Sequence, residues 1–239
     1  QPINKIKVYD RLNTNKILFE NQDKNSHLGY IVENKLIKRI LINEILSKQN
    51  IEQFNNIYVD NIEQSESHIR CSANNRIFFS KLLIAADGKN SFVRKVLKTN
   101  VFLKKYNQKA LVVNISHNKN HNNIAYELFF KTGPLAILPM KNNSKNNFCS
   151  SLIWSHHPKY IESLEKIGRE YLIPIIEEKI KNYIGDVISI EEKKSFNLSA
   201  HMNSYFYSNR LIYIGDAAHS IHPIAGQGWN LGVRDIINL

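Results

Sequence analysis

Gly215-Asp216-Ala217-Ala218-His219-Ser220-Ile221-His222-Pro223-Ile224-Ala225-Gly226-Gln227-Gly228-Trp229-Asn230 is the stretch on which the reading of this chain turns. It follows the apolar run Leu211-Ile212-Tyr213-Ile214, which reads as a strand, and it opens a helical pattern that continues from Trp229. A strand running into a Gly-containing turn and then a helix is the local grammar of an α/β sheet. Gly215 lets backbone approach a ligand closely, and the carboxylate of Asp216 can accept hydrogen bonds from sugar-like hydroxyls. Gly226 and Gly228 leave backbone amides bare at the helix entry, where the positive end of the dipole favours an anion or an electron-rich carbonyl. The bland alternative is a turn followed by a helix-entry loop, with His219 and His222 as surface imidazoles. Two glycines, Asp216, Pro223 and Asn230 crowded behind one apolar strand argue against it.

A second stretch has the same layout. The unbroken apolar run Leu82-Leu83-Ile84-Ala85-Ala86 reads as a strand buried on both faces. It gives way to Asp87-Gly88-Lys89-Asn90-Ser91-Phe92-Val93-Arg94, with Ser91 placed to cap a helix. Upstream, 28–33 reads as a short strand, and Asn34 as the cap of an amphipathic helix with Ile37, Ile40, Leu41 and Ile45 on its apolar face. Strand-like runs follow at 57–59, 68–71 and 76–79. From about 101 to 196 the pattern changes: alternation at 110–115, 125–130, 135–138 and 149–154 predicts an antiparallel sheet, and 160–184 is more helical.

Two buried strands flanking a β-rich insert imply an α/β fold: a discontinuous Rossmann-like domain carrying an inserted, mainly antiparallel β domain. The expected boundaries are 22–98 with 208–239 for the first, and 1–21 with 99–207 for the second. The chain opens on Gln1 with a strand-like run (Ile3, Ile6, Val8) at once, and the last helical pattern stops at Leu239, so both ends look truncated.

With 239 residues, 43% of them hydrophobic, the chain can build one large core or two small ones. It has no apolar run near the roughly 20 residues needed to span a bilayer and no signal-peptide anatomy at its start, so a cytoplasmic protein is the expectation. Cys71 and Cys149 sit in apolar surroundings without a second ligand at metal spacing, so both are expected as buried thiols and no metal site is expected. The net charge of +11 comes from lysines scattered between Lys5 and Lys194 rather than from a block. That distribution argues against nucleic acid and leaves weak attraction to an anionic lipid surface.

The stretch from Gly215 to Asn230 resembles the C-terminal FAD fingerprint of class A flavoprotein monooxygenases of the para-hydroxybenzoate hydroxylase fold: Gly-Asp-Ala-Ala-His, Pro, then Gly-Gln-Gly-x-Asn. The run from Asp87 to Arg94 is similar to that family's Asp-Gly motif, which serves the FAD diphosphate region and NAD(P)H. Leu28-Gly29-Tyr30-Ile31-Val32-Glu33-Asn34 and Ala125-Tyr126-Glu127-Leu128, followed by Gly133-Pro134-Leu135-Ala136-Ile137-Leu138-Pro139-Met140, look like the ubiquinone-biosynthesis branch, the 2-polyprenyl-6-methoxyphenol hydroxylases. Without the resemblance, 133–140 is simply a turn and a core strand.

The resemblance implies FAD held by Asp87, Gly88, Arg94, Gly215, Asp216, Ala217, His219, Pro223, Gly226, Gln227, Gly228 and Asn230. Asp216 would take the ribityl chain, Gly226 to Gly228 would face the pyrimidine carbonyl, and Pro223 would lie at the reacting face as the catalytic position. It further implies NAD(P)H as co-substrate, O2 as oxidant and a polyprenylated phenol as substrate. A ubiquinone-biosynthesis protein complex and peripheral contact with the inner membrane follow as expected partners. One departure stands out: the Gly-x-Gly-x-x-Gly loop that holds the FAD pyrophosphate in this family occurs nowhere in the chain. Two rival readings remain beside this one: a flavoprotein of the same fold with other chemistry, a reductase or halogenase, or a catalytically inactive remnant.

Overall fold

The computed structural model describes residues 1–10, 15–23 and 26–239. Residues 11–14 and 24–25, within the expected segments 1–21 and 22–98, lie outside the described residues. Strands β1 (Pro2–Ile3), β2 (Lys5–Asp10), β3 (Lys16–Glu20) and β4 (Gly29–Tyr30) precede helix α1 (Asn34–Leu46). Then come β5 (Val59–Gln64), β6 (Ile69–Ala73), β7 (Arg76–Ser80), β8 (Leu83–Ala85) and α2 (Phe92–Val96). Strands β9 (Val101–His117), β10 (Ile124–Phe130), β11 (Gly133–Met140) and β12 (Phe148–His156) lead to α3 (Pro158–Lys166) and α4 (Arg169–Ile184). The chain ends with β13 (Val187–Asn203), β14 (Tyr207–Ser208), β15 (Leu211–Tyr213), β16 (His219–Ser220) and α5 (Gly228–Ile237). Short 3₁₀ turns at Gly215–Ala217 and Pro223–Ala225 flank β16.

These elements form two compact units, residues 1–48 with 107–198, and residues 49–106 with 199–239. In the first, the strand order is β13-β9-β12-β11-β10-β2-β3, antiparallel except where β2 runs parallel to β10. Period-two alternation sends Leu111, Val113 and Ile115 of β9, Tyr126 and Leu128 of β10, Leu135 and Ile137 of β11, and Leu152 and Trp154 of β12 to one face. Helices α3 and α4 cover that face with Ile161 and Leu164, at i, i+3, and with Leu172, Ile176, Ile180 and Ile184, at i, i+4, spacings that align side chains along one stripe. Each such side chain, fully removed from water, stabilises the unit by roughly 1.5–3 kcal/mol before entropy is counted.

The second unit is smaller. Strands β5, β6 and β7 form a meander, and the turn from β6 to β7 is Asn74-Asn75, both at positive φ (47° and 64°), as a two-residue hairpin with native twist requires. A separate sheet, β14-β15-β8, holds the two apolar runs that the sequence marks out, side by side and parallel. Ile62, Ile69, Ala85, Val93, Leu211, Tyr213, Ala217 and Ala218 make its core.

Several expectations change. Residues 22–48 fall in the first unit, because Leu28 and Ile31 are tied by backbone hydrogen bonds to Ile3 and Gln1 while β4 pairs with β1. The strand expected over 28–33 contracts to Gly29–Tyr30, and Glu33, with no side-chain capping bond, stands at the helix N-cap instead of Asn34. The expected apolar face of α1 is not buried: Ile40 and Leu41 are 57% and 56% exposed, and Ile37 and Ile45 are half-buried. Nor is β8 buried on both faces, since Ile84 is 41% exposed and β8 is an edge of its sheet among the described residues. Cys149 is buried, whereas Cys71 is only half-buried. Strand β13 has no clear signature in the sequence, because Glu191-Glu192-Lys193-Lys194 interrupts the apolar alternation at its exposed middle. No helix of the described residues is long and apolar enough to cross a membrane.

Candidate functional site

The geometry of the site follows from one pairing in the second unit. Strands β8 and β15 are parallel neighbours in register, Leu83 against Leu211, Ile84 against Ile212 and Ala85 against Tyr213, and the Ile214 amide donates to the Ala85 carbonyl at 3.0 Å. The turns that begin at Asp87 and Gly215 therefore leave the same carboxyl edge of one sheet, which is where open α/β sheets bind their ligands.

The first turn is organised by its own side chains. Ser91 is fully buried and its hydroxyl accepts from the Arg94 amide at 3.0 Å, capping α2 as the sequence suggests. The Asp87 carboxylate accepts from the Phe92 and Val93 amides at 2.6 and 3.1 Å through a single oxygen, Oδ2. Half of that carboxylate is thus occupied by the helix it precedes, a use that motif reading does not reveal. Gly88, at φ +80°, has open space where a Cβ would lie.

Arg94 joins the two turns. Its guanidinium donates to the Lys89 carbonyl of its own turn and, at 3.0 Å, to the Ala217 carbonyl of the other. It also lies 3.1 Å from His201 Nε2, which stands at the same distance from the Asp216 carbonyl. That nitrogen can accept from Arg94 or donate to Asp216, not both, and Nδ1 meets the Ser220 hydroxyl at 2.8 Å. Burial, and after it the charge of Arg94, hold the His201 pKa below its ordinary value. Asn203 Nδ2 donates to the Ala217 carbonyl at 3.1 Å, while its buried Oδ1 has no partner among the described residues.

Helix α5 is held against the second turn by Asp235, whose Oδ2 accepts from the Gly215 amide at 2.7 Å and pairs with His219 Nε2 at 2.9 Å. Gly232 allows the approach: a Cβ there would come within 3.3 Å of the Gly215 Cα. At the other end of α5 no side chain caps the helix, so its first-turn amides are open to a ligand. Gly226 stops the preceding 3₁₀ turn in the left-handed region at φ +61°, which glycine adopts without strain. Beyond Gly215, Gly226 and Gly228 a Cβ would meet nothing within 4 Å.

Asp216 is exposed, and its carboxylate makes no hydrogen bond or ion pair among the described residues. Asn230 Nδ2 reaches Gln227 Oε1 at 3.4 Å, and Pro223 opens the short turn ahead of Gly226. Ala217 and Ala218 are buried in the core and His219 is engaged with Asp235, so these three shape the turn from behind. His201, Asn203 and Asp235 were not singled out from the sequence. Only the spacing of Gly232 and Asp235, three apart on one helix face, hints at their shared contact.

A free carboxylate, uncapped helix amides and glycines opening on space form a donor and acceptor set that suits a ligand with sugar hydroxyls and an electron-rich ring carbonyl. A family described as FAD binding domain matches residues 31–239. The chain belongs to this family. The chain is 27% identical over 237 residues to ubiquinone hydroxylase UbiL of Rhodospirillum rubrum, covering 99% of this chain and 54% of that protein. It is 27% identical over 296 residues to the mitochondrial ubiquinone biosynthesis monooxygenase COQ6 of Dictyostelium discoideum, covering all of this chain and 59% of the relative. The chain thus spans little more than half the length of these curated relatives.

Among solved structures, the FAD-binding domain is similar in fold to Pseudomonas aeruginosa PqsL in complex with 2-aminobenzoylacetate, with a TM-score of 0.78 at 17% identity over 98% of this chain and 65% of that one. The p-nitrophenol 4-monooxygenase PnpA of Pseudomonas putida matches at a TM-score of 0.74 and 14% identity, over 98% of this chain and 60% of PnpA. The α/β fold with a large sheet is therefore that of FAD-dependent monooxygenases.

Proposed function

We propose that this FAD-binding domain is part of a monooxygenase that hydroxylates a polyprenylated phenol ring in ubiquinone biosynthesis, with NAD(P)H and O2 as co-substrates. The observation that carries the reading is the joining of the Asp87 and Gly215 turns at one sheet edge by Arg94, beside an uncapped α5. The names of the curated relatives supply the substrate class.

In this reading Asp216 takes the ribityl hydroxyls of FAD through its free carboxylate. The amides that follow Gly226 and Gln227, from Gly228 onward, face the pyrimidine carbonyl, where the helix dipole favours the negative charge of a reduced ring. Pro223 borders the reacting face, and Gly88 and the outer oxygen of Asp87 meet the diphosphate region or the nicotinamide co-substrate. FAD would supply the oxygen activation; these residues would supply its orientation and the amides that favour a charged ring. Cofactor binding falls to residues 49–98 and 208–239, which belong to the second unit. A polyprenyl tail dissolves in lipid, so peripheral contact with the inner membrane, aided by the net charge of +11, and assembly with other ubiquinone-biosynthesis proteins belong to the same proposal.

The test is to purify the full-length gene product, record flavin absorbance, and assay a prenylated phenol with NADH or NADPH for oxygen incorporation. Retained flavin and a hydroxylated ring are expected. A protein without flavin, or a flavoprotein that oxidises NAD(P)H but never oxygenates a phenol, would defeat the proposal.

A further inference from the structure

The last residues of β13, 199–203, belong to the second unit and pair with β16 there, His201 opposite Ser220 and Met202 opposite His219. Period-two alternation puts His201 and Ser220 on one side of that ladder, and His219 with its partner Asp235 on the other. The His201 ring is buried among three polar neighbours. The Ser220 hydroxyl lies 2.8 Å from Nδ1, and the Arg94 guanidinium and the Asp216 carbonyl each lie 3.1 Å from Nε2. Among the described residues, the charged groups that act on the ring are Arg94 of α2, Lys89 of the turn ahead of α2, and Asp216. The Lys89 ammonium donates to the Ser199 carbonyl at 3.4 Å, two residues from His201.

Nε2 therefore has two incompatible states. With the ring proton on Nδ1, the Ser220 hydroxyl accepts it and Nε2 accepts from Arg94. The guanidinium is then held where it also donates to the Lys89 and Ala217 carbonyls, one on each turn. With a proton on Nε2, that nitrogen donates to the Asp216 carbonyl and has no lone pair left for Arg94. A second ring proton adds charge repulsion, because Arg94 stays protonated throughout. Burial and the charge of Arg94 both favour the neutral ring.

Resting on the reading of these turns as the FAD site, we propose that His201 is a positioning residue: neutral, it locks Arg94 across the Asp87 and Gly215 turns so that FAD is held, and protonated at Nε2 it frees Arg94 and weakens the hold on FAD. His201 acts through Arg94 and through the backbone of Asp216, whose carboxylate is the ribityl acceptor of the same reading. The clasped state, which binds FAD better, is the neutral one. Acid therefore lowers the affinity for FAD, and bound FAD lowers the affinity of His201 for a proton by the same factor. The loss sets in on the acid side of pH 6.5, the ordinary value from which the His201 pKa is lowered.

The test uses the full-length protein, stripped of flavin and titrated with FAD, as wild type and as His201→Gln, His201→Leu and Ser220→Ala. Two quantities are read: the FAD dissociation constant from flavin fluorescence across the acid range, and the His201 titration by NMR with and without FAD. The His201 signal is assigned by its loss in the Gln variant. In wild type the Kd should be flat above pH 6.5 and rise about tenfold per pH unit between the two His201 midpoints, the FAD-bound midpoint lying lower by about one unit or more. Gln can accept from Arg94 and cannot gain a proton, so it should recover the roughly tenfold in affinity that Leu loses at pH 8, and it should lack the acid limb. Ser220→Ala removes the acceptor that keeps the proton on Nδ1, and should weaken FAD binding already at pH 8. Equal His201 midpoints with and without FAD overturn the proposal without recourse to any variant. An acid limb that persists in the Gln variant, or a Gln variant that binds FAD no better than Leu, overturns it too. A wild-type protein that binds no FAD at pH 8 overturns the parent reading, and it does so before any pH series is begun.

Discussion

Replacing Arg94 by methionine removes the fork that joins the two turns while keeping an apolar stem of similar length. Three interactions go: with the Lys89 carbonyl, the Ala217 carbonyl at 3.0 Å and His201 Nε2 at 3.1 Å. Hydrogen bonds from a charged donor contribute about 1.5–3 kcal/mol each, so the upper bound is near 9 kcal/mol. The structure lowers that bound. The Ala217 carbonyl keeps Asn203 Nδ2 at 3.1 Å, and His201 Nε2, relieved of Arg94, can carry its own proton and donate to the Asp216 carbonyl at 3.1 Å. Only the Lys89 carbonyl is stranded, so the expected loss is about 2–3 kcal/mol. Lysine should restore little of it, since an ammonium cannot span acceptors on two turns as a planar fork does. Urea unfolding measures the loss, and an NMR titration of His201 reports the local change: its depressed pKa should rise once the second-largest cause of the depression is gone. A loss below about 0.5 kcal/mol, the range of an ordinary surface change, refutes the reasoning. So does an unmoved His201 titration.

Gly228→Val should abolish flavin retention at almost no cost to the fold, because Gly228 starts α5 with open space at its Cβ and exchanging glycine for valine in a helix changes stability by no more than about 0.5 kcal/mol. Flavin absorbance read beside a melting curve decides it, and unchanged flavin with a lowered melting point counts against the assignment. A second expectation concerns acid: His117 is fully buried, bonded to Ser150 Oγ and the Lys119 carbonyl, and burial lowers its pKa from 6.5 to about 4. The unfolded chain then binds a proton that the folded one refuses, so stability is complete above pH 6.5 and falls by up to about 3 kcal/mol as pH drops to 4. Unfolding free energies across that window should show this limb in wild type and a shallower one in His117→Gln; equal slopes would exclude His117 as the source.

How much of this was legible in the residues depends on whether a feature is local. The Gly215 and Asp87 turns could be read because each couples an apolar run to turn residues and a helix start within one short stretch, and the Ser91 cap belongs to the same local chemistry. Sheet strands with clean alternation, such as β10 to β12, were readable for the same reason. Strand β13 was not, because charges at its exposed middle break the period although its ends are buried. The α1 stripe gave the helix but not its environment: periodicity says which face is apolar, and only tertiary structure says what covers it.

The site itself divides along the same line. Arg94 is visible as part of a motif, yet nothing in the sequence says that its guanidinium turns inward to the Ala217 carbonyl instead of outward to a ligand, since that depends on β8 and β15 being neighbours. His201, Asn203 and Asp235 come from a strand end and a helix middle with no motif around them, and they matter only because register brings Met202 opposite His219 and because Gly232 lets α5 close on Gly215.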